Sequence, residues 1–142
     1  MSEKTKDPVP QGKYVPATRG GSLIFTAGMT PRKDGVLQFS GKVEASEPLG
    51  KYREAARLAA ANALTAARNR LEPGEKIARV LSMTVYVNAG EGFNAHSKIA
   101  DFASEYLCEE LGEPGVAARA AIGVASLPGD APVEVQIVYM VK

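Results

Sequence analysis

The sequence has few of the residues that metal sites and strong nucleophiles require. Among its 142 residues there is one cysteine and one histidine, and there is no tryptophan. A single cysteine excludes an intramolecular disulfide and is typical of a reducing compartment. One cysteine and one histidine also argue against an intrinsic structural zinc site. We therefore expect a cytoplasmic protein that holds neither a metal ion nor a cofactor.

The chain also lacks a charge excess and a long apolar run. It has 17 basic and 16 acidic residues, so no strong field draws in nucleic acid or an anionic membrane. No stretch approaches the roughly 18 consecutive apolar residues of a membrane span. Residues 1–12 are polar and contain prolines, which predicts a flexible lead-in rather than a signal peptide. The length predicts a single domain over residues 1–142.

The hydrophobic pattern predicts strands and helices mixed along the chain. Strands are predicted at 14–17, 22–27, 36–39, 79–88, 117–126 and 133–141, and helices at 51–71 and 94–111. In the first helix, alanines recur at spacings of three and four, which gives a thin apolar stripe. The order of elements indicates an α+β sandwich in which both helices pack on one face of a mixed sheet.

The two predicted helices can cover only one face of that sheet. The second face of the last strand carries Glu134, Gln136, Val138 and Met140, so a monomer would expose a partly apolar surface. Surfaces of this kind mark self-association. We therefore expect a cyclic oligomer whose sheets pack together.

One charged residue in each of the last two strands is a candidate for chemistry. Arg119 shares its strand face with small residues at 117, 121, 123 and 125, which leave room for a guanidinium to bind a carboxylate. Glu134 follows after a Leu-Pro-Gly-Asp turn. Such a turn would bring the two side chains together, where Glu134 could orient a water molecule or pass a proton. The structural alternatives are an Arg119 paired with Glu134 or a C-terminal group, and a Glu134 exposed at a strand end.

Four further residues are weaker candidates. Tyr14 is either a phenol beside a pocket or an edge aromatic, and Gly28 is either a ligand-facing strand end or a turn glycine. His96 has polar neighbours, which favours a solvated helix position, and Cys108 is interpreted as an unreactive helix thiol. The sequence contains no glycine-rich phosphate loop, GxSxG, HExxH or paired CxxC motif.

Short segments spread over the chain carry a family pattern. They are Gly-Lys-Tyr-Val at 12–15, Phe-Thr-Ala-Gly at 25–28, Tyr-Val-Asn at 86–88 with Gly-Phe at 92–93, Ala-Arg-x-x-x-x-Val at 118–124, Leu-Pro at 127–128 and Val-Glu-Val at 133–135. Together they span nearly the whole chain. They resemble the reactive-intermediate deaminases, the Rid or YjgF-type family that is often labelled endoribonuclease L-PSP.

The resemblance implies a chorismate-mutase-like fold and a homotrimer, whose three sheets form a central barrel with clefts between the subunits. It implies metal-free, cofactor-free hydrolysis of a small imine or enamine carboxylic acid to the keto acid and ammonia. By this match Arg119 grips the substrate carboxylate and Glu134 helps to position the attacking water. Tyr14, from a neighbouring subunit, Gly28 and Ala120 match further substrate-binding positions.

Four positions depart from the family pattern and make the pocket less polar. Ala117 replaces a proline, Ala120 a hydroxyl residue, Met29 a glutamine and Ser97 a helix asparagine. They indicate a divergent branch. The leading hypothesis from the resemblance is a trimeric deaminase. The alternative is a trimer that binds small carboxylates without turnover. Ribonuclease action ranks lower because acid–base cleavage of RNA calls for a placed pair such as two histidines. Chorismate mutase activity ranks lower still, since it rests on fold analogy alone.

Overall fold

The structure is a computed structural model that describes residues 5–142. The strands are β1 Ala17–Gly20, β2 Leu23–Thr26, β3 Arg32–Lys33, β4 Val36–Leu37, β5 Ile77–Asn88, β6 Ala118–Val124 and β7 Val133–Val141, and the helices are α1 Arg53–Arg68 and α2 His96–Leu111. Strands β3 and β4 form a separate hairpin. The other strands form one sheet in the order β1-β2-β7-β5-β6.

The mixed sheet with two helices on one face confirms the predicted α+β class. Strands β5 and β6 run parallel, and the remaining neighbours in the sheet are antiparallel. A parallel pair needs a crossover connection, which α2 supplies. The predicted pairing of the last two strands is wrong, because β5 lies between β6 and β7. The Leu-Pro-Gly-Asp segment contains a short 3₁₀ turn at Pro128–Asp130 and crosses the end of β5.

Helix α1 packs closely on the sheet because its inner face is made of alanine. Its buried residues are Ala55, Ala56, Ala59, Ala60, Ala63, Leu64, Ala66 and Ala67. The sheet contributes alternate residues of β7 to the same core, namely Val133, Val135, Ile137, Tyr139 and Val141. The alanine stripe read from the sequence is therefore the contact surface of this helix.

A bulge in β5 changes which of its residues enter the core. The pairing with β7 shifts between Val80 and Ser82, so Leu81 is the extra residue. Val80 is buried together with Met83 and Val85, whereas Leu81 is partly exposed. Strict alternation along the strand would put Leu81 on the same face as Met83. Because the bulge adds one residue, the alternation of faces along β5 shifts by one position, and Val80 and Met83 point to the same side of the sheet.

The face of the sheet opposite the helices is uncovered in the single chain. In one cross-strand row Phe25 lies beside Val138. In another, Tyr86 lies between Glu134 on one side and Ile122 on the other. Phe25 is 49% exposed and Ile122 is 43% exposed. We refer to this surface as the open face.

The predicted lead-in lies partly at residues 1–4, which fall outside the described residues. In the described part, the carboxylate of Asp7 accepts hydrogen bonds from the guanidinium of Arg70 at 3.1–3.4 Å. The side-chain amide of Asn69 also donates to Asp7, at 2.8 Å. Asp7 is thereby held at the end of α1. Over the described residues, neither helix has the length and apolar character to cross a bilayer.

Candidate functional site

Arg119 lies between β6 and α2, at the edge of the sheet. Its strand partner is Met83, which is buried beneath the helices, so the Arg119 side chain is on the helix-covered face. The side chain is 19% exposed. Ala121 and Gly123 share its face of the strand, and the space beside Gly123 is taken by the His96 ring.

The Arg119 guanidinium is held by three side chains of α2. Nη1 donates to Oδ1 of Asp101 and to Oγ of Ser104, both at 2.9 Å. Nη2 donates to Oγ of Ser97 at 2.7 Å and to its carbonyl oxygen at 3.3 Å. Of the five N–H donors of a guanidinium, these contacts use the four on the terminal nitrogens. Arg119 is therefore not an unpartnered cation, and its ion-pair partner is Asp101 rather than Glu134 or a C-terminal group.

Arg119 and Glu134 do not meet within one chain, so the predicted proximity is wrong. The strand register aligns Arg119 with Met83, and Met83 with Ile137 of β7. Glu134 is three residues from Ile137, and an odd separation along a strand places it on the opposite face. Two strand spacings and three residue rises separate the Cα atoms by roughly 14 Å. The two charges could act on one molecule only if they came from different copies of the chain.

Glu134 lies half-buried on the open face against Gly28. A Cβ atom built on Gly28 would lie 2.8 Å from the carboxyl carbon of Glu134, so the absence of a side chain makes room for the carboxylate. Its cross-strand neighbour is Tyr86. Burial raises the pKa of the Glu134 carboxyl above its usual value. Within residues 5–142, no hydrogen bond or ion pair to this carboxylate offsets that cost.

Tyr14 and Gly28 line a common cavity. Its volume is about 430 Å³, and it lies between the segment before β1, the β3–β4 hairpin and α1. The Tyr14 hydroxyl accepts a hydrogen bond from the backbone N–H of Gln11 at 2.9 Å, and the side chain remains exposed. Met29 also lines the cavity and is buried in the core. Arg119 and Glu134 are not among the lining residues.

Ala120 is exposed and follows Arg119 on β6, so it lies on the open face. Its strand partner is Thr84, which in turn pairs with Gln136 of β7. A methyl group at position 120 cannot hydrogen-bond to a ligand. The predicted site residues therefore fall into two groups. Arg119 lies beneath α2, whereas Glu134, Gly28 and Ala120 lie on the open face, with Tyr14 in the adjoining cavity.

Sequence reasoning named Ser97 only as a departure from the family pattern and missed Asp101 and Ser104, the other residues of α2 that hold Arg119. Ser97, Asp101 and Ser104 are separated by four and three positions, which is the spacing of one helix face. This polar stripe borders the buried face of α2, which carries Ile99, Ala100, Ala103 and Leu107, and was a readable signal. His96 was predicted to be solvated, but it is partly buried. A Cβ atom on Gly123 would clash with Nε2 of its ring, and the ring packs edge-on against Phe93 with centroids 5.3 Å apart.

We predict that Glu134→Gln stabilises the folded protein at neutral pH. A carboxyl group with a raised folded-state pKa favours folding below its unfolded pKa, and this contribution is lost as pH rises through the folded value. Glutamine does not ionise, so the melting temperature of Glu134→Gln at pH 7 should exceed that of the wild type by up to about 4 °C. The difference should disappear near pH 4. Melting curves at both pH values measure it, with the exposed Glu91→Gln as control. A destabilised Glu134→Gln at pH 7 would contradict the assignment of burial as the cause.

Comparison with known proteins places the chain in a family. The family model described as endoribonuclease L-PSP matches residues 4–141. Protein TCP17 of Trypanosoma cruzi is 32% identical over 127 residues, which cover 89% of this chain and 79% of that protein.

Solved structures agree in fold. The Agrobacterium tumefaciens protein Atu1372, of unknown function, has a TM-score of 0.82 at 32% identity and is matched over 94% of this chain and 86% of its own. A putative endoribonuclease from Shewanella oneidensis has a TM-score of 0.86 at 25% identity, over 97% and 91% of the two chains. The family pattern in the sequence, the match over nearly its whole length and the shared fold lead to one conclusion: the chain belongs to the YjgF/Rid family, described as endoribonuclease L-PSP.

Proposed function

We propose that this protein hydrolyses a small imine or enamine carboxylic acid to the keto acid and ammonia, without a metal ion or cofactor, at sites shared between neighbouring copies. The observation that carries the proposal is the placement of Arg119 and Glu134 on opposite faces of the sheet. A guanidinium suited to bind a carboxylate and a carboxylic acid with a raised pKa are both available. They converge when β6 of one copy meets the β2–β7 side of the next.

The open face supports a closed oligomer, which we propose to be a trimer with a central barrel. Phe25 and Ile122 are half-exposed on a face that also carries Val138, and burying such residues drives association. The edges of the sheet are β6 on one side and β1 on the other. A cyclic arrangement brings these unlike edges together, since each copy then contacts its neighbour in the same way.

The proposed reaction needs little chemical activation. A protonated imine is already electrophilic, so the site has to orient it and place one water molecule. Arg119 binds the substrate carboxylate. Glu134 of a neighbouring copy takes a proton from the water as its oxygen bonds to the imine carbon, and then returns that proton to the nitrogen. The hydroxyl group of this adduct gives its proton to the Glu134 carboxylate as the carbon–nitrogen bond breaks, so that the carbonyl of the keto acid forms and ammonia leaves with the bonding pair. Glu134 then passes the proton to ammonia, and the products are the keto acid and an ammonium ion.

A second candidate function keeps the site and the oligomer but omits turnover. It is favoured by the residues next to the proposed catalytic groups, because Met29 is buried in the core and Ala120 offers no hydroxyl group. Such a protein would bind a keto acid or another small carboxylate as a ligand. Ribonuclease action is not proposed, because the chain has one histidine and a net charge of +1, which suits neither acid–base cleavage nor an RNA track.

We predict that Arg119→Ala abolishes most of the deaminase activity. Loss of two charge-assisted hydrogen bonds to the substrate carboxylate costs about 2–4 kcal/mol, so kcat/KM should fall by at least about 30-fold. The assay follows ammonia release from enzymatically generated 2-iminobutanoate. The control is Arg53→Ala, which removes an arginine that pairs with Glu105 of α2 on the surface.

Unchanged activity in Arg119→Ala would show that the site is assigned wrongly. If the wild type releases no ammonia but small carboxylates raise its melting temperature, and Arg119→Ala abolishes that rise, the binding function replaces the deaminase.

We predict that light scattering gives a mass of about 45 kDa, three times the 15.0 kDa of one chain. Phe25→Glu should shift the protein towards monomers, because it places a charge on a face that the oligomer buries. Val36→Glu is the matched control, since Val36 is 62% exposed and lies on the separate β3–β4 hairpin. A wild-type mass of 15.0 kDa at micromolar concentration would contradict the trimer.

A further inference from the structure

We propose that Asp101 is an internal competitor of the substrate carboxylate, so that its negative charge sets how tightly Arg119 binds an anion. This inference rests on the proposed function only in assigning Arg119 to carboxylate binding. Asp101 is not a catalytic residue. It acts on the substrate through the guanidinium that the two carboxylates share.

The hydrogen bonds of Arg119 show why competition arises. Both terminal nitrogens are fully engaged, Nη1 by Asp101 and Ser104 and Nη2 by Ser97. The one N–H donor left over is on Nε. Bidentate binding of a carboxylate requires two adjacent N–H donors. A carboxylate that binds Nε and the adjacent Nη2 displaces Ser97, and one that binds Nη1 and Nη2 also displaces a partner of Nη1. In both arrangements it shares the positive charge of Arg119 with Asp101, whose Oδ1 lies 2.9 Å from Nη1.

Burial and charge identify Asp101 as the partner that matters most. The Asp101 side chain is 50% exposed and that of Arg119 is 19% exposed, so the aspartate can rotate into water while the guanidinium stays between β6 and α2. Ion pairs with an exposed partner are weak, so replacing the Asp101 carboxylate by a ligand carboxylate requires little free energy. Ser97 and Ser104 are neutral, so they do not oppose the charge of an arriving anion.

The other acidic residues of α2 have different partners. Glu105, Glu109 and Glu110 pair with Arg53, Arg57 and Arg68 respectively, which all belong to α1. These contacts join the two helices. Asp101 instead pairs across to β6, with the arginine assigned to the substrate. The helix thus offers matched acidic residues that differ in whether they contact Arg119.

The test compares the binding of 2-oxobutanoate by the wild type and by Asp101→Asn, using isothermal titration calorimetry. Asparagine is nearly isosteric and its carbonyl oxygen can still accept the bond from Nη1, so the guanidinium keeps its position while the competing charge is lost. We expect the Kd to decrease by about two- to fivefold, as removal of a weak ion pair allows. Melting curves check that the variant is folded.

Three controls test whether the decrease in Kd depends on the Arg119 guanidinium and on the charge of the ligand. Glu105→Gln removes a negative charge from the same helix without touching Arg119, and it should leave the Kd unchanged. The neutral analogue 2-oxobutanamide should bind no better to Asp101→Asn than to the wild type. In an Arg119→Ala background, Asp101→Asn should bring no gain.

Each outcome decides between the inference and the proposed function. A Kd that is unchanged or higher in folded Asp101→Asn overturns the inference, even if the wild type releases ammonia normally. Tighter, Arg119-dependent binding in a protein that releases no ammonia supports the inference and rejects the deaminase. If neither protein binds 2-oxobutanoate, the assignment of Arg119 to carboxylates fails and the inference falls with it.

Discussion

The pairing of β5 with both β6 and β7 is the constraint on which the site depends. It separates the two strands that carry the candidate residues and fixes Arg119 and Glu134 on opposite faces. The parallel pair in turn requires α2 as a crossover, and α2 supplies the side chains that hold the guanidinium. One feature of the topology therefore determines both what surrounds Arg119 and why a single chain cannot bring the two charges together.

Much of the fold was predictable from periodicity. The alanines of α1 repeat at helical spacing, and the alternating residues of β7 give its bounds at Val133–Val141 as predicted. Strand order was not predictable in the same way. The Leu-Pro-Gly-Asp segment suggested a tight hairpin, but its backbone crosses the end of β5, where the side-chain amide of Asn88 donates to Asp130 and to the carbonyl of Ala131 at 3.0 Å each. That bridging contact is non-local and leaves no periodic signal.

The candidate residues were predictable one by one, but their grouping was not. Arg119 and Glu134 each stand out as a charge in an apolar strand, and Gly28 is explained by the close approach of the Glu134 carboxyl group. Which side chains face each other depends on register, which one bulge or one inserted strand changes. The contact between Asp101 and Arg119 falls in the same category, although the spacing of Ser97, Asp101 and Ser104 marked a polar stripe on α2.

The central claim is that Arg119 and Glu134 act together from different copies of the chain. Activity of mixed oligomers tests this most directly: Arg119→Ala and Glu134→Gln are purified separately, unfolded, combined in equal amounts and refolded. In a cyclic trimer, each mixed assembly contains one site with both side chains intact, so about a quarter of the wild-type deaminase activity should return. Mixing either variant with the Arg119→Ala/Glu134→Gln double variant should restore none. If the wild type is active and the mixture is no more active than its separate components, the shared site is contradicted.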